Sequence, residues 1–343
     1  MAGLVARFTS MPSFEVARDA LGANALIVLH DAARGRRVRI AHRGATVLSI
    51  EVRHRGRAID LADGYRDAAE LDARASSRFA VMVPFANRIA DARYRFDGTD
   101  HDLQPGVPET ERAARHGFVR GVDFDLQALS ADDDGAEATF TTAIPANAHP
   151  GYPFAIALAI RYRLDARGLT LEATMRNVGD DAAPCFFGWH PYFRLGDTPL
   201  ASWELQVPAR TVIAAGADYI PLAGAAAHVP IERAPPLDFR TPRAVGALEL
   251  NHAFADLASD ADGLLRSHLR DPSSGLGLAL WQERGVMLAF TADTVSRDVR
   301  GSLALEPMES WADAFNRADC ADAIRLAPGA ERRFRCGVEF EIA

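Results

Sequence analysis

The feature that most constrains the fold is an alternation of apolar and polar residues at the end of the chain. Over residues 333–342 every second residue is apolar. A period of two places these side chains on one face of an extended strand, because successive side chains in a strand point to opposite faces. The pattern therefore predicts a half-buried antiparallel strand. Its apolar members are Phe334, Cys336, Val338, Phe340 and Ile342.

Short runs of similar character recur along the rest of the chain and predict further strands. Helical periodicity is weak, and the best candidate helices are short segments around residues 66–74 and 262–270. Regular strand–helix alternation and a GxGxxG motif are both absent, which disfavours a doubly wound nucleotide-binding fold. We therefore predict an all-β protein, a large antiparallel β-sandwich with few short helices. The other predicted strands are 46–52, 79–84, 137–144, 154–164, 169–175, 203–207, 276–281, 286–291 and 303–305.

The best candidate for a domain boundary is the stretch 214–236, which is rich in Ala, Pro and Gly. The strands predicted before and after it have the same character, and no internal repeat of fixed period is visible. We therefore predict one continuous domain over residues 1–343.

Charge, hydropathy and cysteine usage restrict the partners and the compartment of the protein. The formal net charge is −8, which favours neither nucleic acid nor an anionic membrane as a partner. No apolar run approaches the ~18 residues of a membrane helix, and residues 1–14 lack the basic-then-apolar order of a signal peptide. The three cysteines are far apart in the sequence and form no CxxC motif. We therefore expect a cytoplasmic protein without a disulfide framework.

Several kinds of catalytic site are disfavoured by the residues that the chain lacks. It contains no lysine, which excludes a Schiff-base lysine, a pyridoxal-phosphate anchor and a P-loop lysine. Ten histidines are present, but no HxH or HExxH pattern suggests a zinc site. A GxSxG motif, typical of many serine hydrolases, is also missing.

One histidine stands within a run of aromatic residues. His190 lies in the segment Phe-Phe-Gly-Trp-His-Pro-Tyr-Phe, residues 186–193. Pro191 has a restricted backbone and biases the residue before it towards an extended conformation. An ordered imidazole, whose unperturbed pKa is near ~6.5, is a candidate proton donor. The alternative is a core histidine whose ring N–H is satisfied by a carbonyl group.

Polar residues in four other contexts are further candidates. Asn87 and Arg88 follow an apolar run that ends in proline, and they could offer donors to hydroxyl groups. His116 precedes Gly117, where the backbone can approach a ligand closely. Glu306 ends an apolar run before a proline, so partial desolvation would raise its pKa and suit it to general-base catalysis. The alternatives are a surface or salt-bridged arginine and an exposed glutamate at the end of a strand. The fourth context is Asn251, in the segment Leu-Asn-His-Ala-Phe.

Taken together and in this order, these segments resemble the aldose 1-epimerase (galactose mutarotase) family. The resemblance implies the large antiparallel β-sandwich of that family, a galactose mutarotase-like supersandwich with the active site in a cleft on one sheet. The matching segments are Pro-Phe-Ala-Asn-Arg-Ile at 84–89, Tyr-Arg-Phe-Asp-Gly at 94–98, His-Gly-Phe at 116–118, Gly-Tyr-Pro-Phe at 151–154, Gly-Trp-His-Pro-Tyr-Phe at 188–193, Asn-His-Ala-Phe at 251–254, Leu-Glu-Pro-Met at 305–308 and Asp-Ala-Phe-Asn at 313–316.

The resemblance also implies roles for individual residues. Glu306 matches the general base that takes the proton from the anomeric hydroxyl, and His190 matches the general acid that protonates the ring oxygen. Asn87, Arg88 and His116 match residues that hold the sugar. No cofactor or metal is expected. The partner is a small aldose sugar, and we expect a monomer or homodimer.

Two departures from the family pattern put the preferred sugar in doubt. Asn251 stands where the family usually has aspartate, and Met287 falls where some relatives carry a polar residue. Two alternatives to an aldose 1-epimerase therefore stay open. One is a hexose-phosphate 1-epimerase of the same fold, and the other is a non-catalytic sugar-binding or regulatory protein.

Overall fold

The computed structural model describes residues 13–342, which form antiparallel strands with very few short helices. The predicted all-β class is therefore confirmed. Strands and helices are numbered here in chain order. Residues 1–14 were predicted not to form a signal peptide. Residues 1–12 of that stretch lie outside the described residues. A five-stranded sheet formed by consecutive strands begins the described chain: β1 (Phe14–Leu21), β2 (Asn24–Asp31), β3 (Arg36–Ala41), β4 (Thr46–His54) and β5 (Arg57–Asp60).

Two larger sheets contain most of the remaining strands. The nine-stranded sheet has, in spatial order, β11 (Asp125–Ala131), β12 (Gly135–Ile144), β13 (Ile156–Asp165), β14 (Gly168–Asn177), β28 (Glu331–Ile342), β24 (Leu276–Gln282), β23 (Leu265–Arg270), β18 (Glu204–Gln206) and β21 (Arg243–Ala244). The eight-stranded sheet has β20 (His228–Pro230), β19 (Ala209–Ile213), β22 (Asn251–Leu257), β25 (Val286–Phe290), β26 (Leu303–Met308), β16 (Gly188–His190) and β6 (Ala80–Met82), with β17 (Tyr192–Phe193) also paired to β26.

Short elements complete the fold. The helices are α1 (Ala68–Ala73) and α2 (Ala321–Ile324), and α1 confirms the helix predicted at residues 66–74. It begins where the Asp67 side chain accepts a hydrogen bond from the backbone N–H of Glu70. Two-stranded sheets are formed by β7 (Arg88–Ile89) with β10 (Ala114–Arg115), β8 (Arg93–Phe96) with β9 (Thr99–Asp102), and β15 (Ala183–Pro184) with β27 (Arg325–Leu326).

The prediction of a helix at residues 262–270 was wrong. Residue 262 lies in a turn, and β23 follows it as an inner strand of the nine-stranded sheet, paired with β18 and β24. Hydrogen bonding on both sides outweighs a weak local helical pattern. Ser267 and Leu269 point inwards and are buried, while Arg266 binds three carboxylate groups on the other face. The strands β1 to β3 are not among those predicted.

The sheets share one hydrophobic core. Some of its strands are buried on one face only, and others are buried on both faces. In β13 the buried residues alternate with partly exposed ones, as expected for a strand with one face covered. β24 and β26 are buried at all of their positions, because both of their faces are covered. Phe187 and Phe334, whose ring centroids are 5.5 Å apart, connect the neighbourhoods of the eight-stranded and nine-stranded sheets. The only charged residue in β26 is Glu306.

Candidate active site

His190 and Glu306 face each other across two neighbouring strands of the eight-stranded sheet. The residues before and after His190 pair with β26 in one antiparallel register, so His190 falls opposite Glu306. His190 Nε2 lies 3.3 Å from Glu306 Oε1, close to hydrogen-bond distance. The two candidates are therefore brought together although they are far apart in the sequence. The flanking pairs are Gly188 with Met308 and Tyr192 with Ala304.

Burial perturbs the charge state of both side chains. His190 is 6% exposed and Glu306 is 2% exposed. Desolvation disfavours the charged form of each group, so it raises the pKa of Glu306 to about 8 and lowers the pKa of His190 to about 3. The pair therefore holds one proton at neutral pH. His190 Nδ1 and Glu306 Oε2 are both buried and have no hydrogen-bond partner among the described residues.

The imidazole of His190 is held by a stack of flat groups. Tyr192 lies parallel to it, with ring centroids 4.9 Å apart and an interplanar angle of 9°. The guanidinium of Arg78 lies 5.0 Å from the centre of the Tyr192 ring. Tyr192 is anchored in turn by a 3.0 Å hydrogen bond from its hydroxyl to the backbone oxygen of Ser76. This stack fixes the ring plane of His190 without a hydrogen bond to it.

The other sugar-holding candidates form a connected group beside the pair. Arg88 Nη1 donates a 2.8 Å hydrogen bond to Asn87 Oδ1, and the His116 backbone N–H donates one of 2.8 Å to the Asn87 carbonyl. The ring of His116 is 5.2 Å from that of His190, at an angle of 71°. Burial and the neighbouring His190 and arginines lower the pKa of His116 well below its usual value. His116 is therefore a neutral imidazole beside the acid/base pair.

Two backbone contacts hold these loops in place. Gly117 has φ +64°, and a Cβ there would lie 2.0 Å from the Val83 carbonyl oxygen, so only glycine fits. The close approach at this glycine is therefore to the protein's own backbone. Asp313 donates its backbone N–H to the Arg88 carbonyl at 2.7 Å, and its carboxylate accepts from the Ala90 N–H at 2.9 Å. These contacts explain the His-Gly-Phe and Asp-Ala-Phe-Asn segments as supports of the site.

The candidates line one cavity of about 510 Å³. All six of the predicted site residues contribute to its walls, and Asn251 enters from the start of β22, where it pairs with Phe290. A salt-bridged Arg88 and an exposed Glu306 are contradicted, because Arg88 has no carboxylate partner among the described ion pairs and Glu306 is buried. Arg88 is partly exposed, and it lines the cavity. The cavity is lined by Ser76, Ser77, Asn87, Arg88, Ala113, Arg115, His116, Arg120, His190, Tyr192, Asn251, Phe290, Thr294, Val295 and Glu306.

Some lining residues were not predicted. Ser76 and Ser77, both with positive φ, follow α1, and Thr294 lies in a loop after β25. Arg115 and Arg120 lie on either side of the His-Gly-Phe segment. A serine, threonine or arginine in a loop carries no local sign that it faces a cavity. The signal available in the sequence was only that both arginines are close to His116.

Other residues near the predicted motifs do not reach the cavity. Trp189 and Phe193 are fully buried and pack edge-on against Phe79. Met287 is also fully buried and does not line the cavity. Glu309 is buried, and its carboxylate accepts a 2.8 Å hydrogen bond from the Phe187 N–H. Of the Phe, Trp and Tyr residues in the run 186–193, only Tyr192 is among the described residues that line the cavity.

Between residues 13 and 342, no three His, Cys, Asp or Glu side chains are grouped so that they could hold a metal ion. No helix in that range has the length and apolar character needed to cross a membrane.

Comparison with known proteins identifies the family. The family model for aldose 1-epimerase matches residues 26–339. The chain belongs to the aldose 1-epimerase family. It is 29% identical over 254 residues to the uncharacterized protein YihR of Escherichia coli K12, which covers 74% of this chain and 76% of that protein. It is 25% identical over 327 residues to human galactose mutarotase, covering 90% and 92% of the two chains.

Solved structures extend this aldose 1-epimerase relationship to the fold. A GalM/aldose epimerase homologue from C. elegans superposes with a TM-score of 0.80 at 16% identity. The superposition covers 96% of this chain and 100% of that one. At this identity the likeness concerns the fold, and it confirms the predicted galactose mutarotase-like architecture.

Proposed function

We propose that this member of the aldose 1-epimerase family interconverts the α and β anomers of an aldose by opening and closing the sugar ring. The observation that carries the proposal is the buried pair of His190 and Glu306, 3.3 Å apart in the wall of a cavity. Anomer exchange needs one group that takes a proton and one that gives a proton, and neither redox chemistry nor an activated leaving group. An imidazole beside a carboxyl group meets this need.

The proposed reaction moves two protons in each direction. Glu306 takes the proton of the anomeric hydroxyl while His190 gives a proton to the ring oxygen, and the bond between C1 and the ring oxygen breaks. The open aldehyde rotates about its C1–C2 bond, and the reverse transfers close the ring on the other face. The pair carries one proton between about pH 3 and pH 8. Because burial favours that proton on Glu306, it moves to His190 before the ring opens.

Neighbouring residues have positioning roles in this proposal. Arg88 and Asn87 present donors, and His116 and Asn251 offer both a donor and an acceptor to sugar hydroxyls. The Tyr192 ring orients His190 by stacking on it. No group other than these side chains is needed, so we propose a reaction without metal or organic cofactor.

The unsatisfied atoms of the pair favour catalysis over simple sugar binding. A buried polar atom without a partner costs about 1–3 kcal/mol, so His190 Nδ1 and Glu306 Oε2 each destabilise the fold. A binding protein could replace both side chains by neutral hydrogen-bonding groups with less destabilisation. Retaining a titratable pair in a desolvated strand is typical of an active site.

The test is anomer exchange measured by NMR at equilibrium on a panel of free aldoses. Glu306→Gln keeps the size of the side chain and removes the base, and His190→Asn keeps a polar group and removes the titrating ring. Each should slow exchange by about 10²- to 10⁴-fold, the usual contribution of general acid–base catalysis.

The matched control is Glu249→Gln, which removes a carboxylate from the exposed surface and should leave exchange unchanged. Exchange at the wild-type rate in a correctly folded Glu306→Gln variant would refute the proposed reaction and favour a sugar-binding protein.

A further inference from the structure

Three arginines line the cavity, namely Arg88, Arg115 and Arg120. No ion pair is formed by Arg88, Arg115 or Arg120 among residues 13–342. Among residues 13–342, Glu306 is the one acidic residue that lines this cavity, and burial keeps it largely protonated at neutral pH. The cavity therefore carries an excess of positive charge, in a protein whose net charge is −8.

Many arginines elsewhere in the described part of the chain form ion pairs with carboxylate groups. Arg266 binds the carboxylates of Asp260, Asp262 and Glu339, and Arg297 binds those of Asp63 and Glu70. The three cavity arginines have no carboxylate partner of this kind among residues 13–342, and the hydrogen bonds that Arg88 and Arg120 donate go to neutral oxygens.

Two of these arginines are placed against each other by strand register. In the two-stranded sheet of β7 and β10, Arg115 pairs directly with Arg88. Like charges directly opposite each other on an antiparallel pair destabilise the sheet. Burial and the nearby Arg115 lower the pKa of Arg88, and Glu306, Tyr219 and Asp218 act in the opposite direction. An anion between the two guanidinium groups would remove this repulsion.

The third arginine is fixed in place but not neutralised. Arg120 donates a 2.6 Å hydrogen bond to Ser77 Oγ and one of 3.2 Å to the backbone oxygen of Arg115. Its Nε is buried and has no partner among the described residues. Burial lowers the pKa of Arg120, and the neighbouring Arg74 and Arg115 lower it further. The contact with Arg115 brings the two guanidinium-bearing residues to the same wall of the cavity.

We infer that the substrate of this site is an aldose that carries an anionic substituent, a phosphate or a carboxylate, bound by Arg115 and Arg120. This inference rests on the proposed function, and it names the substrate class of the same site. Planar guanidinium groups bind phosphate and carboxylate oxygens through paired hydrogen bonds, which are stronger than those to neutral hydroxyls. Asn251 adds an amide to the wall and no negative charge that would repel such a group.

The experiment compares sugars that differ at C6, where one member of each series is neutral and two carry an anionic group. Anomer exchange is measured by NMR for glucose, glucose 6-phosphate and glucuronate, and for the corresponding three sugars of the galactose series. The charged member should be exchanged with at least about tenfold higher kcat/KM, the worth of hydrogen bonds to a charged group. Raising NaCl from about 20 mM to about 500 mM should reduce that advantage, because salt screens partly exposed charges. The phosphate and carboxylate arms show which anion the site accepts.

Variants then connect the preference to the arginines. Arg115→Gln and Arg120→Gln should each reduce the ratio of charged to neutral kcat/KM by about tenfold. Arg57→Gln, which removes an exposed arginine of β5 outside the cavity, is the matched control and should leave the ratio unchanged. A neutral sugar exchanged as well as or better than both charged relatives would overturn the inference and leave the proposed function intact.

Binding measurements test the recognition of the anionic group independently of anomer exchange. 1,5-Anhydroglucitol and its 6-phosphate lack an anomeric hydroxyl, so calorimetry on them reports recognition without catalysis. Tighter binding of the phosphate, lost in Arg115→Gln and Arg120→Gln, would support anion recognition even if no sugar were exchanged and the proposed function had failed. Equal binding of the two compounds, together with no preference in exchange, would refute anion recognition.

Discussion

Replacing Glu306 by glutamine tests the buried carboxyl group through the stability of the protein. In an unfolded chain this side chain ionises near pH 4.5, whereas in the fold its pKa is about 8. The folded state therefore keeps its proton over a range in which the unfolded chain has lost it. The stability that the protonated group contributes is complete below about pH 4.5 and is lost as the pH rises through 8.

The magnitude follows from the gap between the two pKa values. Each pH unit is worth about 1.4 kcal/mol, so the full range from 4.5 to about 8 amounts to at most about 5 kcal/mol. His190 acts on the other side, because its lowered pKa makes stability fall as the pH drops below 6.5. Between pH 6.5 and 8.5 only Glu306 of this pair contributes, with about 2 kcal/mol.

The assay is urea unfolding of the wild type and of Glu306→Gln at pH 6.5, 7.5 and 8.5. The glutamine side chain of the variant does not titrate, so the free energy of unfolding of the variant minus that of the wild type should grow by about 2 kcal/mol over this range. The variant should therefore lose activity although its stability relative to the wild type is higher at pH 8.5 than at pH 6.5. The exposed Glu249→Gln substitution is the control and should show a constant difference.

One result would refute the reasoning. If the difference for Glu306→Gln stays constant or shrinks as the pH rises, the carboxyl group is already ionised in the folded protein. The pair would then be a carboxylate with an imidazolium, and burial would not be the dominant influence on its pKa.

The remaining predictions concern the reaction. The kcat/KM should be level through the neutral range and fall above about pH 8, as the pair loses its single proton; a rate that still rises at about pH 9 would contradict this. The Glu306→Gln/His190→Asn double variant should lose less activity than the product of the single losses, because both groups act in one proton-transfer sequence; multiplicative losses would place them in independent steps. Asn251→Ala should raise KM by an amount worth about 1–3 kcal/mol with little change in kcat, and an unchanged KM would exclude a contact with the sugar. Activity should survive dialysis against EDTA, and a loss restored by one added metal ion would end the cofactor-free mechanism.

Sequence patterns predicted many of the strands because alternation records directly which side of a strand is buried. β13 and β14 follow this rule, β28 follows it as far as Cys336, and the N-cap at Asp67 begins α1 close to where a helix was expected. The rule failed for residues 262–270, where a weak helical pattern became β23 between two partners. Pairing with distant strands decides such a segment, and a local pattern does not contain that information.

Residue type was enough to predict an acid/base pair at the candidate site, whereas the distance between the two groups and the size of their pKa shifts could not be predicted from it. An aromatic run around His190 and an apolar run before Glu306 marked both residues as unusual. Their separation of 3.3 Å comes from the register of β16 against β26, and their perturbed pKa values come from the complete burial of β26. Neither quantity is visible in the segments themselves.

The three cavity arginines show most clearly which properties come from the sequence and which come from the tertiary structure. The sequence by itself determined that every basic side chain is a guanidinium group and that two of them lie close to His116. Only the tertiary structure set Arg115 opposite Arg88, turned Arg120 onto Ser77 and left all three in the cavity wall without an ion-pair partner among residues 13–342. Residue type fixes which charges and donors are available, because these are covalent properties. Distances and desolvation arise from contacts between segments that are remote in the chain, and they decide what those groups can bind.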